Sequence, residues 1–165
     1  MAITIARGVP IATAGDPPAV GAPLLPFTLT LPDLTDVSLD AYAGRTLVFN
    51  IFPSVDTRVC ALSVRRFNEL AAGLPDTTVL CVSQDLPFAL GRFCGAEGIE
   101  DVVVTSAFRS SFGQDYGLSL TEGPMRGLLA RTVIVAGPDG IVRHLQVTEN
   151  TSDEPDYDAA VAAVG

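Results

Sequence analysis

Residues Leu47 to Phe52 read LVFNIF, a nearly unbroken apolar run closed by Pro53. A strand that is apolar at almost every position has no face to give to water, so it belongs inside a sheet covered on both sides, as parallel sheets are. The next segment changes period. Val59, Leu62, Phe67, Leu70, Ala71 and Leu74 recur at nearly helical spacing up to Pro75, with Asp56 and Thr57 as N-cap candidates. TTVLCVS then repeats the buried-strand pattern, Phe88 to Ala96 reads as a short helix stopped at Gly95 or Gly98, and DVVVTS supplies a third strand. Two later strands, Arg131 to Val135 and Ile141 to Val147, flank Gly137-Pro138-Asp139-Gly140, whose turn chemistry makes them an antiparallel pair. A last helix is expected from Asp156 to Val164, opened by Glu154-Pro155-Asp156. Upstream, ITIARGVPI suits a small hairpin, and LPFTLTLPDL a strand bounded by Pro26 and Pro32.

Consecutive βαβ units followed by a hairpin and a terminal helix predict an α/β chain of thioredoxin-like fold. That means a central mixed sheet flanked by helices, here with an N-terminal β-hairpin extension. At 165 residues and 48% apolar content, one domain spanning residues 1–165 is expected. The 19 acidic residues outnumber the 10 basic ones, all arginine, and a net charge of −9 leaves no broad cationic surface for nucleic acid. The longest apolar stretches fall short of the ~18 residues that a spanning helix needs, so no membrane segment is expected. The N-terminal residues lack the pattern of a secretory signal, and three cysteines at unequal spacing make a poor disulfide framework, which points to a cytoplasmic chain with reduced thiols. A single histidine, His144, leaves no zinc ligand set at recognised spacing.

Chemistry becomes readable at PSVDTRVC, residues 53–60. Cys60 falls in the first turn of a helix that follows a buried strand, near unpaired N–H groups and the positive end of the helix dipole, which favours thiolate over thiol. An arbitrary cysteine is more often a small core residue. The helix-start position, Thr57 one turn back and the adjacent Arg58 argue for a reactive one.

Pro53, Thr57 and Cys60 also reproduce the Pro-x-x-x-Thr-x-x-Cys motif of the peroxiredoxins. The chain resembles their atypical two-cysteine thiol peroxidase branch over almost its whole length, through NIFPSVDTRVCALSVRRFN, VLCVSQDLPFALGRFCGAEG, GPMRGLLAR and EPDYDAA. The resemblance implies a peroxidatic Cys60, a resolving Cys94 that closes an intramolecular disulfide with it, and a Thr57 hydroxyl that holds thiolate and peroxide. It further implies that Pro53 shields the sulfur and that Arg131 is the active-site arginine. Hydroperoxide substrates, thioredoxin as reductant, a homodimer, and no metal or organic cofactor are implied as well. Arg58 stands where relatives are expected to carry a smaller residue.

Two of these roles can be weighed by topology. If the strand opened by Arg131 runs antiparallel beside Leu47–Phe52, its start lies near the end that leads to Cys60, and the arginine reaches the thiol. Arg7, Arg45, Arg109 and Arg143 read as surface residues, and Arg126 is open. The helix bearing Cys94 starts near Cys60 but rises ~1.5 Å per residue away from it, leaving Cys94 roughly 10 Å off. A disulfide needs Cα atoms within about 7 Å, so local unfolding is expected before a bridge forms. On its own Cys94 reads equally as a core thiol, and Cys81 in VLCV reads as packing. Asp56 reads as a helix cap, and the loop Glu122–Leu129 with an exposed Met125 as a contact for substrate or partner chain. A thiol–disulfide oxidoreductase is disfavoured because no Cys-x-x-Cys surrounds Cys60, whereas a redox sensor would use the same thiols.

Overall fold

The computed structural model describes residues 1–165. Its centre is a seven-stranded mixed sheet. The buried runs form β5 (Thr46–Ile51), β6 (Thr77–Ser83) and β7 (Val103–Ser106), all parallel, and β8 (Thr132–Ala136) with β9 (Val142–Val147) completes one side antiparallel. The other edge is a short hairpin, β3 (Thr28–Thr30) and β4 (Asp36–Ser38), giving the order β4-β3-β7-β6-β5-β8-β9. A separate hairpin, β1 (Ile3–Ala6) and β2 (Val9–Ala12), precedes it. The helices are α1 (Arg58–Ala71), α2 (Pro87–Glu97), a single turn α3 (Phe112–Asp115) and α4 (Tyr157–Val164).

The apolar run of β5 alternates between two cores. Val48 enters one layer with Val64 and Phe67 of α1, Leu90 and Phe93 of α2, and Ala160 and Val164 of α4. Leu47, Phe49 and Ile51 enter the opposite layer, where Phe27, Phe49, Phe112 and Tyr116 pack ring against ring and Tyr116 donates to the Leu25 carbonyl at 2.6 Å. Both faces are therefore covered, which is why no position of β5 is polar except Thr46 at its start and Asn50. Gly98, in left-handed backbone at φ 65°, ends α2, and the Asp156 side chain accepts from Ala159 N–H to open α4.

Two expectations change. Asp56 is not the cap of α1: Thr57 takes the N-cap position, and Asp56 turns outward to pair with Arg92 of α2 at 3.0 Å. The strand expected within LPFTLTLPDL shortens to residues 28–30, because Thr30 is the one residue that pairs with β7 before the chain turns into β4.

Candidate active site

β5 and β6 are parallel, so their carboxyl ends share one edge, and the antiparallel β8 begins at that edge. Ile51 pairs with Thr132, which puts Arg131 beside the exit of β5, and Phe52 and Pro53 lead from there into α1. Cys60 is the third residue of α1 and lies on the stripe that continues through Val64 and Phe67, so its sulfur faces inward and is fully buried. Its carbonyl accepts from Ser63 Oγ at 2.8 Å, and Ser63 Oγ in turn accepts from Asn50 Nδ2 at 3.2 Å. The first turn of α1 is thus held from below by a polar pair inside the core.

Arg131 Nη2 donates to Cys60 Sγ at 3.0 Å, while Nε donates to the Thr151 carbonyl at 2.9 Å. The guanidinium is 1% exposed, no carboxylate touches it, and Nη1 has no partner. A buried cation without a counter-charge is costly, and the Cys60 sulfur is the one side-chain atom it bonds to. The free Nη1 leaves one more donor for an oxygen brought to the sulfur.

A cleft of about 580 Å³ lies over this pair, its lining including Pro53, Thr57, Val59 and Arg131. Pro53, Val59 and Arg131 are its buried members. Thr57 is exposed, and its hydroxyl donates to the Ser54 carbonyl at 3.0 Å, leaving the oxygen to accept. Arg7, expected simply on the surface, is exposed but lines this cleft from the tip of the β1–β2 hairpin. Arg58 lines it too. Met125 is half-buried rather than exposed, packed with Leu128 against the small core of Ala6, Ile11, Leu120 and Ala130 under the hairpin.

All three cysteines are free thiols. Cys94 is half-buried on α2 against the same core layer as Cys60, and burial pushes its thiol pKa up. Burial pushes Cys81 to about 12, so it stays a protonated core group. Two ion pairs tie the helices that carry Cys60 and Cys94, Arg92 with Asp56 and Arg65 with Glu97 at 2.8 Å.

One residue that the sequence reading passed over organises the entry to α1. The Asp85 carboxylate accepts from Ser54 Oγ at 2.7 Å, Val55 N–H at 2.8 Å and Ser83 Oγ at 2.6 Å. Asp85 follows β6 at the sheet edge where β5 ends, and that shared edge is the signal that marks it out.

The Redoxin family model matches residues 19–161. The thiol peroxidase of Corynebacterium glutamicum is 57% identical over 164 residues, covering 99% of each chain, and that of Mycobacterium tuberculosis is 54% identical over 165 residues, covering 100% of this chain and 99% of its own. The crystal structure of a peroxiredoxin-like protein from Aquifex aeolicus superposes with a TM-score of 0.93 at 33% identity, covering 98% of this chain and 95% of its own. With a buried arginine on a helix-start thiol and relatives that match end to end, the chain belongs to the Redoxin family, in the thiol peroxidase branch of the peroxiredoxins.

Proposed function

We propose that this thiol-dependent peroxidase works through Cys60 as the peroxidatic thiolate and Cys94 as the resolving thiol. The Cys60 thiolate attacks one oxygen of a hydroperoxide, forming an S–O bond as the O–O bond breaks. The other oxygen leaves with a proton as water or an alcohol, and Cys60 becomes a sulfenic acid. Arg131 supports the nucleophile through Nη2 and offers Nη1 to the oxygens as charge moves onto the leaving one. Thr57 Oγ1 accepts a hydrogen bond from the O–H of the hydroperoxide, and Pro53 keeps water from the sulfur. The Cys94 thiol then condenses with the sulfenic acid, expelling water and leaving a Cys60–Cys94 disulfide, which an external dithiol reduces. We assign that dithiol to thioredoxin, and assign the enzyme to the cytoplasm as a homodimer of one-domain chains spanning residues 1–165.

The 3.0 Å contact between Arg131 and Cys60 is the observation that supports this reading most. The test is NADPH consumption with thioredoxin and its reductase on adding hydrogen peroxide. Cys60→Ser should abolish it, while Cys94→Ser should stop continuous turnover yet consume one equivalent of peroxide. Full turnover by Cys60→Ser would overturn the assignment.

A further inference from the structure

Asn50 stands near the end of β5, a strand covered on both faces, and it is 0% exposed. Its side chain enters the same layer as Val48 and Phe52 on either side of it, toward α1. Its bonding there is thin. Nδ2 donates to Ser63 Oγ at 3.2 Å and reaches Cys81 Sγ only at 3.7 Å, while Oδ1 has no partner. A buried amide with an orphaned oxygen weakens a core that an apolar residue of the same shape would fill better. Ser63 is equally buried, and a hydroxyl that bonds back to the preceding turn does not strengthen its helix and tends to bend it. Local rules broken inside a core are expected where function requires the exception.

Both side chains lead to Cys60. Ser63 Oγ donates to the Cys60 carbonyl at 2.8 Å, so a line of hydrogen bonds runs from β5 through Ser63 to the backbone of the reactive cysteine. It ends at the residue whose sulfur meets Arg131 at 3.0 Å. The line lies under the helix, away from water, where solvent does not replace a broken bond. Cys60 meanwhile has two tasks that need different geometry. To meet a peroxide it must stay against Arg131, and to reach Cys94 on α2 the first turn of α1 must open. A bond to the Cys60 carbonyl favours the first and opposes the second.

Building on the peroxidase reading above, we propose that Asn50 and Ser63 are positioning residues that set how long the Cys60 sulfenic acid stays in the closed site before Cys94 captures it. With the brace intact, attack on peroxide is fast and the disulfide is delayed. The delay exposes the sulfenic acid to a second hydroperoxide, which transfers one oxygen to the sulfur, leaves a sulfinic acid and departs as water or an alcohol. The brace thus sets the first step against the survival of the thiol.

The test treats the reduced full-length protein with hydrogen peroxide, quenches it at intervals and separates thiol, disulfide and sulfinic acid by mass. In Ser63→Ala and in Asn50→Leu, oxidation of Cys60 should slow by roughly threefold to tenfold, the factor that corresponds to one buried hydrogen bond. The disulfide should form from the sulfenic acid faster by a similar factor, and the sulfinic fraction at excess peroxide should fall. A merely damaged site would slow both steps. Because Asn50 acts through Ser63, the double variant should lie no further from wild type than Ser63→Ala alone. Thr105→Val is the control: it deletes another buried hydroxyl, in β7, which donates to the Cys81 carbonyl at 2.9 Å, and it should leave both rates within about twofold. Disulfide formation that is unchanged or slower in the single variants, a double variant whose effects add, or a Thr105→Val variant that reproduces the shift overturns this inference and leaves the peroxidase reading standing. A wild-type enzyme that never forms the Cys60–Cys94 disulfide overturns the resolving role of Cys94 and this inference with it. If Ser63→Ala does not fold, Asn50→Leu against Thr105→Val carries the same comparison.

Discussion

Asp85→Ala removes an acceptor of three hydrogen bonds, from Ser54 Oγ, Val55 N–H and Ser83 Oγ. The Ser54 hydroxyl can turn to water, but Ser83 is fully buried and the Val55 amide belongs to a residue that is 2% exposed, so neither easily finds another partner. Hydrogen bonds to a charged acceptor contribute about 1.5–3 kcal/mol each, and a stranded amide costs about 1–3 kcal/mol. With partial compensation by water the whole loss should be about 3 kcal/mol, and at ~2–4 °C per kcal/mol for a chain of this size the melting temperature should fall by roughly 6–12 °C. Asp85→Asn should be much milder. Its carbonyl oxygen can stay where Val55 and Ser83 donate, and Ser54 can reverse to accept from the new NH2, so about 1 kcal/mol is expected. Because residues 53–57 carry the chain into the first turn of α1, the alanine variant should also lose about tenfold to a hundredfold in kcat/KM as Cys60 drifts from Arg131. Thermal unfolding, peroxide turnover and hydrogen exchange of residues 53–57 measure the three effects. An alanine variant within 2 °C of wild type (roughly the effect of 1 kcal/mol) with unchanged exchange would refute the reasoning. An asparagine variant as damaged as alanine would show that charge, not hydrogen-bond count, is what holds the loop.

Stability should also decline at alkaline pH. Burial holds Cys81 at about 12 and pushes Cys94, Tyr42, Tyr116 and Tyr157 upward, so these groups stay protonated when folded but ionise in the unfolded chain. The stability is complete below the unfolded thiol range and is lost as pH rises, by about 1.4 kcal/mol per pH unit for each group held protonated. Urea unfolding at about pH 8 and pH 10.5 should show the loss, reduced in Cys81→Ala, and a flat profile would contradict it. Formation of a Cys60–Cys94 disulfide should lower hydrogen-exchange protection in the first turn of α1, in α2, or in both, since the Arg92–Asp56 and Arg65–Glu97 pairs hold those helices in place. Identical protection in thiol and disulfide forms would count against local unfolding.

The strands were legible where periodicity was strong. LVFNIF and TTVLCVS announce burial on both faces, and once the strand opened by Arg131 is set antiparallel beside β5 the position of that arginine at its exit follows from direction alone. What stayed hidden has little or no pattern. β4 is three residues with a polar start, and α3 is a single turn, too short for a period to show. Thr151 orients Arg131 through its backbone carbonyl, which any residue could supply. Asp85 is one carboxylate after a strand, and its role depends on the Ser54 and Val55 groups that the shared sheet edge brings to it. Arg7 looked like a surface residue because its place on the cleft depends on how the hairpin docks, and Asp56 looked like a cap because capping and ion pairing draw on the same residue type.

That docking has a consequence for how the enzyme comes into being. The β1–β2 hairpin is fastened to segments distant in sequence: the Ala12 carbonyl accepts from Thr121 Oγ1, Thr4 Oγ1 donates to the carbonyls of Thr148 and Glu149, and Ile5 N–H also donates to that of Glu149. Thr151, two residues further, orients Arg131. During synthesis Cys60 emerges long before residues 148–151, and until they arrive Arg131 lacks the carbonyl that its Nε donates to and the hairpin lacks its bonds from Thr4 and Ile5. On the peroxidase mechanism proposed above, a nascent chain therefore carries the thiol before its arginine is oriented, and competence waits on the arrival of residues 148–151 rather than on the folding of the helix that bears the cysteine.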